Sequence, residues 1–192
     1  MVTSIVIGLI GISGVGKSYL KQQAIKNINN LTALFAATTR PKRSSEVDGV
    51  DKYFISEKDF FEKHSNNEMF LVQEIYGFMY GFLKKDVVQN INYITEMLYT
   101  DIKKMRQFAN VKLIYVYSNN TNVIYNNLKL RYNDPHLLQK RIDNDVLIKN
   151  EHEVMLSNNL FDYTFENIFD EDSVVNFISL IKKIIGGCPE QI

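Results

Sequence analysis

The chain has 192 residues, which suffices for one domain with a sizeable core, and no repeat or linker divides it. Its 22 Lys and Arg residues balance its 22 Asp and Glu residues, so bulk charge gives no reason to expect a nucleic-acid partner. The single Cys188 excludes an internal disulfide framework, and the apolar N-terminal run is too short to cross a membrane. We therefore expect a cytoplasmic protein without a membrane partner.

Hydrophobic runs and turn residues predict strands that alternate with helices. In chain order, the predicted elements are a strand at 5–10, a helix at 19–29, strands at 34–39 and 53–56, a helix at 57–64, a β-hairpin at 70–80, a helix at 83–90, a strand at 91–98, a helix at 100–108, a strand at 111–117, helices at 121–132 and 135–153, a strand at 161–165 and a helix at 172–185. Ser56 is placed to cap the helix that follows it. The alternation predicts an α/β fold with a parallel sheet core flanked by helices.

A glycine-rich loop follows the first predicted strand. Residues 11–18 read G-I-S-G-V-G-K-S, a complete G-x-x-x-x-G-K-S motif between a strand and a helix. Such a loop wraps backbone N–H groups around a phosphate at the positive end of the helix. We expect Lys17 to face solvent and to reach the β- and γ-phosphates of ATP, and we expect the Ser18 hydroxyl to ligate Mg²⁺. A chance turn is the alternative, and the order of strand, loop and helix argues against it.

A basic segment follows the second predicted strand, where Arg40, Lys42 and Arg43 lie close together. Open α/β sheets bind ligands beyond the carboxyl ends of their strands. Guanidinium groups match phosphate oxygens in a bidentate manner, so Arg40 and Arg43 suit a second, separate phosphate. A solvated basic turn is the usual alternative for a run of charge, and the phosphate loop upstream weakens it.

Taken together, these motifs resemble those of the guanylate kinase family. The resemblance rests on the phosphate loop, Thr38-Thr39-Arg40-Pro41-x-Arg43, Glu46-Val47-x-Gly49-x-Asp51, Tyr80-Gly81, a basic lid-like region with Arg131 and Arg141, and Asp162-Tyr163-x-Phe165-x-Asn167. It covers nearly the whole chain in the right order. It implies a P-loop nucleoside monophosphate kinase with ATP and Mg²⁺ as cofactors. The implied parts are a core (1–35, 83–125 and 155–188), a small mixed-β monophosphate-binding insertion (36–82) and a helical lid (126–154).

The resemblance also implies roles for individual residues. ATP would be bound by Gly11, Ser13, Gly14, Val15, Gly16, Lys17, Ser18, Tyr19 and Asn167. The acceptor would be bound by Arg40, Arg43, Lys52, Tyr53, Glu74 and Tyr80. Lys17, Arg131 and Arg141 would be catalytic, while Ser18 and Glu96 would serve Mg²⁺. Ordinary surface charge is the alternative for each of the two lid arginines.

The positions that read guanine in the family carry apolar residues in this chain. They are Ala36, Leu71 (or Val72, depending on a one-residue gap), Phe82 and Leu98, and Glu74 is the nearby carboxylate that would replace the family's glutamate. A guanine edge without partners loses about 1–3 kcal/mol per unmade hydrogen bond. We therefore expect weak base selectivity, with a local misalignment as the alternative explanation.

Three functions are compatible with the sequence. The first is phosphoryl transfer from ATP to GMP or dGMP, and the second is the same reaction with another nucleotide or phosphorylated acceptor. The third is a guanylate-kinase-like module that binds a partner without catalysis. A binding module has no need of a complete Mg·ATP site, so the intact loop with Lys17 and Ser18 argues against the third. We expect small nucleotides as partners and a monomer or homodimer.

Overall fold

The computed structural model of the protein describes residues 4–44, 46–75, 77–88, 90–97, 102–107 and 109–186. The strands are β1 (Ile5–Ile10), β2 (Leu31–Ala33), β3 (Ala36–Thr38), β4 (Tyr53–Phe54), β5 (Met69–Ile75), β6 (Phe78–Leu83), β7 (Asn92–Glu96), β8 (Asn110–Tyr117) and β9 (Tyr163–Glu166). The helices are α1 (Lys17–Asn27), α2 (Glu57–Ser65), α3 (Ile102–Met105), α4 (Thr121–Lys129), α5 (Pro135–Ser157) and α6 (Glu171–Gly186). Within these ranges, no helix combines the length and the apolar character needed to cross a bilayer.

The larger sheet is parallel throughout and has the strand order β2-β7-β1-β8-β9. Strand β1 lies at its centre and is buried on both faces. Ile7 and Leu9 pack into a cluster with Leu20 of α1 and Phe177 of α6. Val6 and Ile10 belong to a second cluster, which includes Met105 of α3. Because both faces are covered, the strand reads as a continuous apolar run, and the predicted α/β fold is confirmed.

The smaller sheet is mixed and has the order β4-β3-β6-β5. Strand β3 runs parallel to β4 and antiparallel to β6, and β5 and β6 form the predicted hairpin. Helix α2 packs on this sheet through Phe60, which is fully buried beside Met69 and Leu83. Ser56 caps α2 as predicted, since its hydroxyl accepts a hydrogen bond from the Asp59 backbone N–H at 3.1 Å.

The chain crosses from one sheet to the other within the segment predicted as a single strand at 34–39. The backbone N–H of Leu34 still donates to the carbonyl of Ile94 in the larger sheet, at 3.1 Å. Two residues later, Ala36 pairs with Phe82 in the smaller sheet. The predicted strand therefore contains only β3, and β2, which ends at Ala33 before the predicted segment, was missed.

One predicted element is wrong, namely the helix at 83–90. Leu83 instead pairs with Met69, and the Lys84 N–H donates to the Glu68 carbonyl at 2.9 Å, so the hairpin ladder extends into this segment. In the described part of this segment, a single 3₁₀ turn, Lys84–Asp86, follows before β7. The other predicted elements are present with shifted ends. Parts of the helix predicted at 100–108, together with Leu98 and Cys188, lie outside the described residues.

Candidate active site

The phosphate loop joins the carboxyl end of β1 to the first turn of α1. Gly14 and Gly16 adopt φ values of +83° and +90°, which disfavour residues with a Cβ atom. A Cβ atom at Gly16 would also collide with the side-chain amide of Asn167. Two amides hold the loop from outside: Asn127 Nδ2 donates to the Gly14 carbonyl and Asn167 Nδ2 to the Val15 carbonyl, both at 2.9 Å. The loop conformation is therefore fixed by its surroundings as well as by its glycines.

Lys17 lies against this loop and is only partly exposed to solvent. Its Nζ donates to the carbonyls of Gly11 at 2.7 Å and Ile12 at 2.8 Å, so the residue is half-buried and not fully solvent-facing as we expected. Burial lowers the pKa of Lys17 to about 8. Two nearby carboxylates oppose this shift, and the guanidinium groups of Arg131 and Arg141 add to it. The loop thus holds a cation whose charge depends on pH near neutrality.

Glu96 ends strand β7 and faces a group of lysines. Its Oε1 lies 3.3 Å from Lys21 Nζ. Burial alone would raise the pKa of Glu96, but Lys21, Lys17 and Lys52 and a hydrogen bond from Ser18 outweigh it and lower the pKa to about 2. The carboxylate is therefore ionised and is positioned beside the Ser18 hydroxyl.

This pair of oxygen groups fits Mg²⁺ as part of a shared ligand set. Mg²⁺ prefers oxygen ligands and is usually bound by one or two protein groups together with substrate phosphates. Among the described residues, no group of three or more His, Cys, Asp or Glu side chains could hold a metal. Phosphate oxygens and water would therefore have to complete the coordination that Ser18 and Glu96 begin.

A cleft of about 250 Å³ opens beside the phosphate loop, and we call it the central cleft. It brings together loop residues, residues of the smaller sheet and its connections, the end of β7 and the segment around α5. Its lining comprises Gly11, Ser13, Gly14, Gly16, Lys17, Ser18, Ala36, Arg43, Lys52, Leu71, Gln73, Tyr80, Gly81, Phe82, Glu96, Met97, Arg131, Tyr132 and Arg141. Residues predicted for the donor, the acceptor, the metal and the lid thus share one opening.

A second cavity of about 880 Å³, which we call the outer cavity, lies on the α6 side of the loop. Tyr19, Asn167 and Arg131 line it, and Arg131 also lines the central cleft. The Asn167 amide is already engaged, because its Oδ1 accepts from the Phe169 N–H at 3.0 Å while its Nδ2 holds the loop. Val15 is 1% exposed and packs in the core, which leaves its backbone for any contact with ATP.

Arg40 is not part of the central cleft's described lining, although the resemblance assigns it to the acceptor. Its Nη2 donates to both carboxylate oxygens of Glu46, at 2.7 and 2.8 Å. Its guanidinium carbon lies 5.4 Å from the centre of the Phe54 ring. Arg43, by contrast, lines the cleft, and its side chain is 47% exposed. Arg43 Nη1 also lies 3.6 Å from Glu46 Oε1, so the two arginines share this carboxylate and differ in their access to the cleft.

Tyr53 and Glu74 also lie away from the described lining of the central cleft. The Tyr53 hydroxyl interacts with Asp86, and burial together with this carboxylate raises the pKa of Tyr53. Its ring meets the Phe35 ring edge to face, with centroids 5.9 Å apart. Glu74 is exposed and pairs with Met79 in the hairpin. Their predicted acceptor contacts remain predictions.

Gln73 is a cleft residue that the sequence analysis missed. A β-bulge shifts the hairpin register between the pairs Phe70–Phe82 and Gln73–Tyr80. Leu71 adopts a φ of +53° within the bulge. Because the bulge adds one residue, Gln73 rather than Val72 lies opposite Tyr80 and shares its face of the sheet. A bulge of this kind depends on pairing between strands, and the sequence carried no signal for it.

Asp145 on α5 is a second missed residue. It is 5% exposed, and its Oδ1 lies 3.2 Å from Arg141 Nη2 and 3.4 Å from the backbone nitrogen of Ser13. Arg141 Nη2 also donates to the Ser13 hydroxyl. The spacing of four residues between Arg141 and Asp145 was the available signal, since it places both side chains on one helix face.

Comparisons with known proteins agree with this geometry. The guanylate kinase family model matches residues 3–185. The chain is 29% identical to a guanylate kinase of Thermotoga maritima, over 91% of this chain and 84% of that protein. It is 31% identical to a guanylate kinase of Rickettsia conorii, over 81% of this chain and 72% of that protein.

A solved structure extends the similarity to the fold. The guanylate kinase from Anaplasma phagocytophilum superposes with a TM-score of 0.65 at 18% sequence identity, covering 96% of this chain and 85% of that one. At this identity the likeness concerns the fold alone, and it matches the α/β arrangement described above. With the family model spanning nearly the whole chain, the protein belongs to the guanylate kinase family.

Proposed function

We propose that the protein transfers the γ-phosphoryl group of ATP to GMP or dGMP in a Mg²⁺-dependent reaction. The observation that carries the proposal is the central cleft, in which the phosphate loop with Lys17 faces Arg43, Lys52 and Tyr80. A donor phosphate on the loop and an acceptor phosphate on the opposite wall would meet there. Phosphoryl transfer consists mainly of positioning and charge neutralisation, and this cleft offers groups for both.

The donor side would be formed by the phosphate loop and the outer cavity. The backbone N–H groups of the loop and the start of α1 suit the phosphates of ATP, because helix α1 directs its positive end at them. Lys17 would exchange the carbonyls of Gly11 and Ile12 for phosphate oxygens. The nucleoside would extend towards Tyr19 in the outer cavity, past the braced amide of Asn167.

Ser18 and Glu96 would hold Mg²⁺ with the donor phosphates. When bound, the metal neutralises charge on the β- and γ-phosphate oxygens. Lys21 and Lys52 keep the Glu96 carboxylate ionised, as its pKa of about 2 reflects. The ionised Glu96 carboxylate and the Ser18 hydroxyl therefore lie beside the loop as oxygen groups that Mg²⁺ can use as ligands.

The acceptor phosphate would lie against Arg43, Lys52 and Tyr80. All three line the central cleft, and a guanidinium group binds phosphate through charge-assisted hydrogen bonds. Burial lowers the pKa of Lys52, and an arriving phosphate would stabilise its charged form. Arg40 would act from behind, by fixing the segment that carries Arg43 through its pair with Glu46.

Arg131 and Arg141 would neutralise the transferring group from the lid side. Arg131 lines both cavities and Arg141 touches the loop at Ser13, so both cations lie where the donor phosphates would end. Cations at this point stabilise charge on the equatorial oxygens of the phosphoryl group. Closure of the lid over them would exclude water and limit hydrolysis of ATP.

The test is an ADP-release assay with GMP, dGMP, AMP, CMP and UMP as acceptors. We expect turnover with GMP and dGMP, its loss in Lys17→Ala, and an unchanged circular dichroism spectrum for that variant. Removing a preorganised charge donor of this kind costs about 10²–10³-fold in rate. Turnover by Lys17→Ala near the wild-type rate would contradict the donor assignment. Clear ATP binding without turnover of any monophosphate would point to another phosphorylated acceptor.

A further inference from the structure

Asp145 connects the phosphate loop to the lid arginine Arg141. We propose that Asp145 is a positioning residue, which sets where Arg141 meets the donor phosphates during transfer. The inference rests on the proposed kinase function and adds to it a residue of α5 that the family resemblance does not assign.

Asp145 contacts both the phosphate loop, at Ser13, and Arg141 of its own helix. Its Oδ1 accepts from the Ser13 backbone N–H at 3.4 Å and lies 3.2 Å from Arg141 Nη2. Arg141 Nη2 donates to the Ser13 hydroxyl as well, so each of the three residues contacts the other two. The loop atoms in this set belong to the phosphate-binding surface itself. A change at Asp145 therefore bears directly on where the guanidinium group stands relative to the loop.

The local environment indicates that stability alone does not explain an acid at this position. Asp145 is 5% exposed, and its Oδ2 is buried without a hydrogen-bond partner among the described residues. It also lines a cavity of about 570 Å³, whose walls combine apolar side chains such as Tyr115 and Ile124 with the charged Lys149 and Glu153. Leaving a buried carboxylate oxygen unpaired is unfavourable, and burying an ion pair is weak support for stability. A role in orienting Arg141 accounts for the acid.

Movement of the lid would leave the Arg141–Asp145 pair intact but would break the contacts to Ser13. Arg141 and Asp145 are four residues apart on α5, so their pair lies within one rigid helix and travels with it. The contacts to Ser13 join α5 to the phosphate loop, and phosphate oxygens would replace them. A guanidinium group has several N–H donors in a planar fork. Arg141 can therefore keep Asp145 on one edge while another edge meets a phosphate oxygen.

A double-mutant cycle between Asp145 and Arg141 tests the proposal. Asp145→Asn keeps the side-chain shape and removes the charge, and Asp145→Ala removes both. We expect Asp145→Asn to lower kcat about tenfold while KM for GMP stays within about twofold, because misplacing a catalytic group slows the chemical step. In the Arg141→Ala background, the same change should alter kcat by less than about twofold, since the group that Asp145 positions is gone.

Asp143→Asn is the matched control. Asp143 lies on the same helix, is exposed and accepts from Gln139 Nε2 at 2.8 Å, so its replacement removes an equal charge on the opposite side of α5. We expect its kcat to match the wild type. Melting curves for every variant, with rates measured well below the lowest melting temperature, separate loss of fold from loss of rate. Asp145→Ala gives the same comparison if Asp145→Asn folds poorly.

Each outcome decides between the alternatives. An equal loss of kcat from Asp145→Asn in both backgrounds would overturn the proposal, as would a lowered melting temperature with unchanged kcat. Loss of kcat in Asp143→Asn by the same factor would show a general effect of charge on α5 and would also overturn it. Absence of wild-type turnover with every monophosphate is a failure of the proposed function, which the wild-type assay shows before any variant is compared.

Discussion

One amino group of Arg40 donates to both carboxylate oxygens of Glu46, at 2.7 and 2.8 Å. The other amino group donates to the Pro41 carbonyl at 2.7 Å, and the Arg43 backbone N–H donates to Glu46 at 2.8 Å. Arg40 is thus a structural centre of the basic segment, although its sequence position indicated a phosphate ligand. Arg43, on the wall of the central cleft, is the arginine of this segment that reaches the candidate ligand site directly.

We predict that Arg40→Ala and Arg43→Ala have different consequences. Arg40→Ala breaks charge-assisted hydrogen bonds worth about 1.5–3 kcal/mol and should lower the melting temperature by about 2–4 °C per kcal/mol. It should raise KM for GMP as well, because the segment loses its brace. Arg43→Ala should raise KM for GMP about tenfold with little change in melting temperature, since it loses a phosphate contact on an exposed side chain. Thermal melts and steady-state kinetics on both variants provide the measurement. A lower melting temperature for Arg43→Ala alone would contradict the assignment.

The Arg40–Glu46 pair also predicts a pH dependence of stability. Burial on its own raises the pKa of Glu46, but the hydrogen bonds from Arg40 and the Arg43 backbone outweigh it and lower the pKa below the ordinary value of 4.5. A carboxyl with a lowered pKa contributes stability above its unfolded-state pKa and loses it as pH falls through the folded-state value. We expect the difference in unfolding free energy between wild type and Glu46→Gln to be constant above the unfolded-state pKa. It should shrink as pH falls from there through the folded-state pKa.

Urea unfolding of both proteins at a series of pH values measures this difference. Glu62→Gln, on the exposed side of α2, is the matched control for the loss of one carboxylate. A difference in unfolding free energy between wild type and Glu46→Gln that grows towards acidic pH would show that the ion pair does not stabilise the folded protein.

Lys17 predicts a pH dependence of ATP binding. Burial lowers its pKa to about 8, so the charged form is lost as pH rises through that value. Because kcat/KM reports the free enzyme, kcat/KM for ATP should fall as pH rises past about 8. The phosphates of bound ATP favour the charged amine, so kcat should hold to higher pH. Lys17→Arg stays charged over this range, and its residual kcat/KM should lack the alkaline fall. A wild-type profile that remains flat well above this pH would rule out the lowered pKa as a control on binding.

Features that depend on a few neighbouring residues could be predicted from the sequence. The phosphate loop follows from its own glycines and from Lys17, and the start of α2 follows from the Ser56 cap, because short-range hydrogen bonds and backbone preferences determine both. The apolar run of β1 indicated a buried parallel strand for the same reason, since every one of its side chains has to be covered.

The features of the fold and of the site that could not be predicted depend on contacts between distant parts of the chain. Nothing near residue 83 shows that Leu83 continues a ladder with Met69, so a helix was predicted there instead. The pair of Arg40 with Glu46 follows from the loop's shape, which composition does not reveal. The bulge at Leu71 requires the register with β6, and it alone decides that Gln73 enters the cleft. Functional residues on irregular segments are therefore the ones that sequence patterns miss.

The last prediction concerns how the acceptor base is read. Ala36, Leu71 and Phe82, which occupy positions that read guanine in the family, line the central cleft. The fourth such position, Leu98, lies outside the described residues. Gln73 is the uncharged polar side chain that the bulge adds beside Tyr80. A carboxamide can donate to the guanine O6 and accept from its N1–H. It presents these groups without the charge of the glutamate that the family resemblance implies at Leu71.

We therefore predict that Gln73→Ala lowers kcat/KM for GMP about tenfold while changing that for AMP less, because a lost base hydrogen bond is worth about 1–3 kcal/mol. Glu74→Ala is the matched control, since the exposed Glu74 lies on the other face of the same strand, and it should leave both values within about twofold of the wild type. The wild type should prefer GMP over AMP, CMP and UMP by less than about ten-thousandfold, because a largely apolar wall separates bases mainly by shape. A stronger preference that survives Gln73→Ala would mean that backbone groups or residues outside the described ranges read guanine. A selective loss in Glu74→Ala would return the role to the carboxylate that the sequence first indicated.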